Sequence, residues 1–189
     1  MKRRIVVGLS GSSGAVYGVR LVEVLAKVAE VETHLVVSSG ARATITYETD
    51  RSADEVTDMA DVVYDDRDLG AAVASGTFLT DGMVIAPCSI KTLSAVANSF
   101  NDNLITRAAD VTLKESRKLV MVVRETPLHR GHLALMMQAA EAGAVILPPV
   151  PGFYTRPRTM ADLVDHTITK ILDQFHIEAG LIERWSGLT

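Results

Sequence analysis

Residues 5–14, IVVGLSGSSG, open the chain with a short apolar run that leads directly into a loop of glycines and serines. The β-branched run is typical of a buried strand. After the loop, apolar residues recur at positions 16, 19, 22 and 25, which is helical spacing. The stretch therefore predicts a strand, a glycine-rich loop and a helix, the first unit of an α/β fold.

The same alternation continues along the chain. Strands are predicted at residues 33–37, 62–64, 82–86, 119–123 and 144–147. Helices are predicted at residues 41–47, 89–97, 104–117 and 160–175, with a short one after Ser52 and another around residues 133–140. Several of the strands are apolar throughout, as in sheets covered on both faces. We therefore expect one domain over residues 1–189, a Rossmann-like α/β fold with a doubly wound, mostly parallel sheet and helices on both faces.

Composition and charge limit the classes of function. Hydrophobic residues make up 48% of the 189 residues and charged residues 22%, as in ordinary globular domains. The formal net charge of -4 argues against nucleic acid as a partner. Cys88 is the only cysteine, which excludes an intramolecular disulfide and favours a cytoplasmic location. No apolar stretch approaches the roughly 18 residues of a transmembrane helix, so no membrane span is expected.

In doubly wound sheets, ligands bind beyond the carboxyl ends of the strands. The loop Gly8 to Gly14 lies at such an end, but it matches neither the dinucleotide fingerprint GxGxxG nor a P-loop. Its small residues leave the backbone N–H groups of a helix N-terminus free to hold an anion. A tight turn without a ligand is the alternative interpretation.

A second candidate is APCSIKT, residues 86–92, after the most apolar strand. Ser89 and Thr92 are one helical turn apart and offer two hydroxyls at a helix N-terminus, although a cap is the commonest role of such a serine. Cys88 next to them is either a nucleophile or, more simply, a small buried apolar residue.

Charged residues form a third candidate. Arg124 and Glu125 directly follow a buried strand, where doubly wound enzymes keep catalytic groups, and a structural ion pair is the alternative. Four basic residues precede that strand on one predicted helix, where a solvated surface is the usual explanation: Arg107, Lys114, Arg117 and Lys118.

The fourth candidate is PPVPGFY, residues 148–154, a rigid loop that presents aromatic side chains as the wall of a site. Lys170, on the helix that follows, would face solvent on its spacing alone. The five histidines show no ligand spacing, so no metal is expected.

Together these segments resemble the UbiX family of flavin prenyltransferases, and the ending most resembles its branch of phenolic acid decarboxylase subunits. The resemblance covers nearly the whole chain and is carried by GLSGSSGAVYGVRL at 8–21, APCSIKTLSAVA at 86–97, DNLITRAADVTLKESRKLVMVVRETPL at 102–128 and PPVPGFYTRP at 148–157. It implies transfer of a dimethylallyl group from dimethylallyl monophosphate to N5 and C6 of reduced FMN. The prenylated FMN would serve a separate decarboxylase of the UbiD type.

The resemblance also implies roles for individual residues. Glu125 matches the residue assigned acid/base work, and Phe78 takes the place of an aromatic at the prenyl pocket. Tyr154 and Lys170 match the prenyl phosphate site, with Arg107 and Lys114 expected to join them. The residues that match the FMN site are Gly11, Ser12, Ser13, Ser38, Ser89, Ile90, Lys91, Thr92 and Arg124.

The sequence departs from the family pattern at two places. His129-Arg130-Gly131-His132 replaces a stretch that commonly carries serine or threonine, and Lys170 stands where some members have arginine, which loses bidentate geometry at a phosphate. Members form homo-oligomers, commonly dodecamers, so the tail at residues 176–189 is expected in subunit contacts. The alternatives are an FMN-dependent decarboxylase of the cysteine decarboxylase class and a non-catalytic flavin-binding subunit of a decarboxylase complex.

Overall fold

A computed structural model describes residues 2–187, and within them the chain forms one sheet of six strands with helices on both faces. The strands are β1 Arg3–Leu9, β2 Val31–Val37, β3 Val62–Tyr64, β4 Gly82–Cys88, β5 Lys118–Val123 and β6 Ala144–Ile146. The helices are α1 Ala15–Leu25, α2 Ser39–Glu48, α3 Ala53–Thr57, α4 Ile90–Ala97, α5 Leu104–Lys114, α6 Arg130–Glu141 and α7 Met160–Asp173.

The strand order is β3-β2-β1-β4-β5-β6, and every neighbouring pair is parallel. This is the doubly wound order, which confirms the predicted fold class. The direction of winding reverses between β1 and β4, and in such sheets the ligand crevice opens at this reversal, beyond the carboxyl ends of the strands.

Each face of the sheet has its own apolar core. The first core joins the sheet to α1, α2, α3 and α7, and the second joins it to α4, α5 and α6. All seven residues of β4 are buried, as expected of a strand covered on both faces. Apolar burial of this extent is the main force that fixes the sheet and therefore the loops at its edge.

The prediction of one helix over residues 104–117 is wrong in its last turn. Helix α5 ends at Lys114, Ser116 has a φ of 55°, and the Arg117 N–H donates to the Thr112 carbonyl oxygen. Lys118 already belongs to β5. The four basic residues therefore do not share one helix, because the chain turns between Lys114 and Lys118.

None of the helices within residues 2–187 combines the length and the apolar character needed to cross a bilayer.

Candidate functional site

The loops after β1 and β4 are joined at the point where the winding reverses. The Ser10 hydroxyl, only 3% exposed, donates to the Pro87 carbonyl oxygen at 2.7 Å and accepts from the Ser89 N–H at 2.9 Å. One buried hydroxyl thus fixes both candidate loops relative to each other. Ser10 was not predicted as a site residue from the sequence, although its place between the strand and Gly11 was a signal.

The loop after β2 packs directly against the loop after β1. A Cβ atom on Gly11 would lie 2.9 Å from the Cα of Gly40, so the two backbones touch. Ser38 caps α2, since its hydroxyl accepts from the Ala41 N–H at 3.1 Å. The structure therefore brings Gly11 and Ser38 together with the β4 loop. That these residues bind FMN stays a prediction.

The N-terminus of α1 is capped by a carboxylate from another helix. Gly14 is the N-cap residue, with a φ of 102° and no side chain to accept a hydrogen bond. The Glu48 carboxylate takes that role: its Oε2 atom accepts from the N–H groups of Gly14 at 2.7 Å and Ala15 at 2.9 Å. Glu48 was not predicted from the sequence. The signal was a helix start without a capping side chain, which needs an acceptor from elsewhere.

The surroundings of Glu48 favour its charged form. Partial burial by itself raises the pKa of the Glu48 carboxyl. Hydrogen bonds from the Ser13 hydroxyl and from the Ala15 and Gly14 N–H groups, together with the charge of Arg124, outweigh burial and hold the pKa below its ordinary value. Glu48 is thus an anion near Arg124. It already accepts from the Gly14 and Ala15 N–H groups, so the expectation that these groups are free to hold a ligand anion is wrong.

We expect replacement of Glu48 by glutamine to lower the free energy of unfolding of the ligand-free protein by about 0.5 to 1 kcal/mol at neutral pH. Because the folded-state pKa is lowered, the stabilisation is present above the pKa of an unfolded glutamate, about 4.3. It disappears as the pH falls through the folded-state value. Urea unfolding of both proteins across this pH range measures the effect. Glu30→Gln, at an exposed turn, is the control. If the free energies of unfolding of the wild type and Glu48→Gln still differ by the same amount at low pH, the charge of Glu48 does not stabilise the helix N-terminus.

Arg124 and Glu125 lie at the carboxyl end of β5 beside a cavity. The Arg124 backbone is fixed by the Cys88 carbonyl oxygen at 3.2 Å and by the Ser12 hydroxyl at 3.1 Å. Its guanidinium forms no salt bridge within residues 2–187, and Glu125 is exposed, with Oε1 accepting from the Thr126 N–H at 3.0 Å. Arg124 and Glu125 therefore do not form the structural ion pair that was the alternative interpretation.

The cavity has a volume of about 240 Å³, and its walls are Tyr17, residues 123–126 and residues 148–150. Burial raises the pKa of the Tyr17 phenol, and the charge of Arg124 opposes that rise. Tyr17 therefore keeps its proton at neutral pH and lines the same cavity as Arg124. An unpaired guanidinium, a polar phenol and a rigid proline wall suit a planar, anionic ligand.

The β4 loop ends in a capped helix. Ser89 caps α4 through a hydrogen bond from the Thr92 N–H at 3.2 Å, and the two hydroxyls are 3.0 Å apart. Lys91 is 77% exposed and pairs with Asp102 at 3.2 Å. Cys88 is fully buried, and burial raises the pKa of its thiol, which fits the apolar interpretation and not a nucleophile.

Tyr154 and Lys170 are both near α7: Tyr154 lies in the turn Phe153–Thr155 before the helix, and Lys170 lies on the helix itself. The Tyr154 hydroxyl lies 3.0 Å from Nε2 of His166, and the ring meets Trp185 edge to face at 5.8 Å. Lys170 pairs with Asp173 at 3.6 Å. A cavity of about 460 Å³ beside Tyr154 is lined in addition by Arg156, Arg158, Arg184 and Trp185.

Arg107, Lys114 and Phe78 form a third group. Arg107 donates from Nε to the Ala74 carbonyl oxygen at 3.2 Å, and Lys114 pairs with Glu115. Phe78 has the Arg4 guanidinium over its ring at 4.8 Å. Lys114 ends the helix before β5, so it lies toward the amino edge of the sheet, whereas Arg124 follows the carboxyl end. No hydrogen bond or ion pair within residues 2–187 joins this group to Arg124, Tyr154 or Lys170.

No three potential metal ligands among His, Cys, Asp and Glu come together in the part of the chain that the structure describes. The absence of a metal from the reaction stays a prediction.

Comparison with known proteins identifies close relatives. The Flavoprotein family model matches residues 1–172. The chain is 59% identical over 184 residues to Flavin prenyltransferase UbiX of Thauera aromatica, covering 97% of this chain and 94% of that protein.

Solved structures agree with this relationship. A crystal structure of AnUbiX (PadA1) in complex with FMN and dimethylallyl pyrophosphate is 48% identical, with a TM-score of 0.97 and full coverage of both chains. A dodecameric FMN-dependent UbiX-like decarboxylase from Escherichia coli O157:H7 is 44% identical, with a TM-score of 0.96, covering 97% of this chain and all of that one.

Proposed function

This chain belongs to the UbiX family of flavin prenyltransferases, and on that premise we propose that it transfers a dimethylallyl group from dimethylallyl monophosphate to reduced FMN. Reduced FMN supplies the electron-rich ring that accepts the prenyl group. The observation that carries the assignment to this site is the Arg124 guanidinium, which forms no salt bridge within residues 2–187, beside Glu125 at the cavity between α1 and the loops after β5 and β6. The Arg124 guanidinium and the exposed Glu125 carboxylate both line this cavity and do not form an ion pair with each other.

We propose that FMN binds at this edge of the sheet. Its anionic and polar groups would be held by Arg124, by the helix N-termini after Ser38 and Ser89, and by the loop at residues 11–13. The contacts among these loops support the proposal, because Ser10, Ser12 and Gly11 already hold them in one rigid arrangement. Ile90, Lys91 and Thr92 lie in the first turn of α4 and complete that side of the site.

Replacing Arg124 by alanine is expected to weaken FMN binding tenfold or more, equivalent to about 1.4 kcal/mol. The loss of one charge-assisted hydrogen bond is of this size. Titration of flavin fluorescence measures the dissociation constant. Arg130→Ala, an exposed arginine at the start of α6, is the matched control and should leave the constant unchanged. Equal affinity of Arg124→Ala and the wild type would remove Arg124 from the site.

The prenyl phosphate site is proposed to form between copies of the chain. Tyr154 contacts His166 of α7 and Lys170 lies on α7, whereas Arg107 and Lys114 lie on α5 with Phe78 beside them. Within residues 2–187 of one chain, α7 and α5 pack on opposite faces of the sheet. A homo-oligomer would bring both groups to the Arg124 edge of neighbouring subunits. The dodecameric relative supports a dodecamer here. We propose that the tail at residues 176–189, of which residues 188 and 189 lie outside the described part of the chain, takes part in the subunit contacts.

In this site, cationic side chains would stabilise the phosphate as it leaves the allylic carbon. The bond from that carbon to the phosphate oxygen breaks with the electron pair on oxygen, and the departing group gains negative charge. Lys114, Arg107 and Lys170 supply positive charge, and the aromatic rings of Phe78 and Tyr154 suit the cation-like prenyl group. Glu125 would hold and move the proton that the ring system must lose.

Replacing Tyr154 by phenylalanine or Lys170 by methionine is expected to raise the KM for the prenyl phosphate about tenfold, because each loses a hydrogen bond to a charged ligand. The dissociation constant for FMN should not change. Steady-state kinetics with varied prenyl phosphate and a parallel FMN titration separate the two effects. A Lys170→Met variant that loses FMN but keeps the wild-type KM would show that the two sites are assigned the wrong way round.

The choice of donor is a direct test of this proposal. Dimethylallyl monophosphate and pyrophosphate are supplied separately at equal concentration to the protein with reduced FMN. We expect the monophosphate to give the higher kcat/KM. A higher value with the pyrophosphate, the ligand of the AnUbiX crystal structure, would reject the monophosphate as the preferred donor.

We propose further that the prenylated FMN is passed to a UbiD-type decarboxylase, and that both proteins are cytoplasmic. The single, buried, unpaired Cys88 supports a reducing compartment. Addition of the released flavin to a decarboxylase apoprotein tests the transfer: restored decarboxylation supports it, and an inactive decarboxylase contradicts it.

A further inference from the structure

The exposed phenol of Tyr154 is held by a buried imidazole of the same chain. Tyr154 is 56% exposed and His166 is 8% exposed, and Oη of the tyrosine lies 3.0 Å from Nε2 of the histidine. The two rings meet edge to face, with centroids 5.6 Å apart and planes at 79°. Because His166 belongs to the middle of α7, it gives the phenol a fixed point on a regular helix.

The surroundings of His166 decide where its proton lies. Its other ring nitrogen, Nδ1, is buried and has no hydrogen-bond partner among the residues that the structure describes. A buried N–H without an acceptor is rarer and costlier than a buried lone pair without a donor. The proton of the neutral ring therefore belongs on Nε2, and the Nε2–H group donates to the Tyr154 oxygen.

This direction leaves the phenolic proton free. A tyrosine hydroxyl that accepts from histidine keeps its own O–H for another acceptor, whereas the opposite tautomer would consume that proton inside the protein. Lys170 follows His166 by four residues, one helical turn, so the two share a face of α7. The residue that holds the phenol and the residue that carries the ammonium group thus lie one turn apart on α7.

Packing at Gly152 keeps the contact in place. A Cβ atom at this position would lie 2.8 Å from Cε1 and Nε2 of His166 and 3.2 Å from Cε1 of Tyr154. The loop backbone is therefore pressed against the hydrogen-bonded pair. Gly152 has a φ of -97°, which any residue adopts, so its lack of a side chain serves this approach and not an unusual backbone angle.

We propose that His166 is a positioning residue of the prenyl phosphate site: its Nε2–H fixes the Tyr154 oxygen and directs the phenolic proton at a phosphate oxygen of the donor. This inference rests on the proposed placement of Tyr154 at that phosphate. His166 itself does not touch the donor, because it is buried beneath Tyr154 and Gly152. Its effect on the reaction is exerted entirely through the orientation of the phenol.

Two substitutions of His166 separate the hydrogen bond from the volume of the ring. His166→Phe removes the donor and keeps a planar ring, whereas His166→Gln keeps an N–H donor at similar reach. We expect His166→Phe to raise the dissociation constant for dimethylallyl monophosphate, measured by calorimetry on the FMN-loaded oligomer, about fivefold to tenfold. His166→Gln should restore most of that affinity. FMN affinity should stay at the wild-type value in both variants.

A double-mutant cycle with Tyr154→Phe tests whether His166 acts through Tyr154. Once the hydroxyl is absent, His166→Phe should cause no further loss of affinity for the phosphate. The proposal is overturned if the two substitutions reduce the phosphate affinity by fully additive amounts. It is also overturned if His166→Phe binds the phosphate like the wild type while Tyr154→Phe binds it more weakly. In either of these cases the placement of Tyr154 stands. Wild-type affinity of Tyr154→Phe alone would instead reject that placement, and with it the proposed function of Tyr154.

Gly152→Ala provides a second route if His166→Phe does not fold. The added methyl group must displace the imidazole and so disrupt the same contact without changing either side chain. We expect the same selective loss of phosphate affinity with FMN binding intact. A folded Gly152→Ala protein with wild-type phosphate affinity would overturn the positioning role.

Discussion

The Glu125→Gln protein is expected to bind FMN and the prenyl phosphate as the wild type does, and to form prenylated flavin more slowly by about a hundredfold or more. The substitution keeps the shape of the side chain and an oxygen that accepts from the Thr126 N–H, a contact of 3.0 Å in the native protein. It removes only the group that takes up and releases a proton. The affinities for FMN and the prenyl phosphate should therefore stay normal while the rate of prenylation falls.

The separation has a structural reason. Glu125 forms no salt bridge within residues 2–187 and is exposed at the cavity, so its charge is not needed to hold the fold. A structural role would instead predict lower stability and weaker FMN binding with little selective loss of rate. Rapid mixing with reduced FMN, followed by mass analysis of quenched samples, measures the rate directly. Glu141→Gln, at the exposed end of α6, is the matched control. A Glu125→Gln protein that prenylates flavin at the wild-type rate would exclude the acid/base role.

The Lys114→Met protein is expected to lose about a hundredfold in kcat/KM for the prenyl phosphate, the scale of removing one charged donor from a developing anion. Lys114 lies toward the amino edge of the sheet, beside Glu115 and Gly76, away from Arg124 of its own chain. If it serves a site, that site contains Arg124 and Glu125 of a neighbouring copy. Lys27→Met, at an exposed position at the end of α1, is the control.

Mixed oligomers make this prediction decisive. Glu125→Gln and Lys114→Met chains are expressed together in equal amounts. If each site takes Glu125 from one subunit and Lys114 from another, random assembly leaves about a quarter of the sites with both native residues. Activity should rise to about that fraction of the wild type. If both residues came from one chain, every site would contain one substitution and the mixture would stay as inactive as its components.

Much of the fold was predictable because its signals are local. The apolar runs of β1, β4 and β5 and the glycine loop after β1 specify strands and a crossover with few alternatives. The end of α5 was not predictable in the same way. Its stop depends on Ser116 at a positive φ, a conformation that serine adopts only when the surrounding structure requires it.

The site was predictable where strand ends determine it and not where distant segments meet. Arg124 and Glu125 follow a strand, so their place at the carboxyl edge follows from topology. Glu48 reaches Gly14 across 34 residues, and His166 reaches Tyr154 through a loop whose path the sequence pattern leaves open. The sequence pattern placed Arg107 and Lys114 on one predicted helix, but it does not say which edge of the sheet, or which copy of the chain, that helix serves.

The mass of the flavin released after one anaerobic incubation tests the central claim most directly. The purified protein is mixed with reduced FMN and dimethylallyl monophosphate, without added metal, and the flavin is separated and weighed by mass spectrometry. We predict reduced FMN heavier by C5H8, because the dimethylallyl group replaces one hydrogen of the flavin, together with free phosphate in equal amount. Recovery of FMN at its original mass, from protein shown to have bound both ligands, would contradict the account.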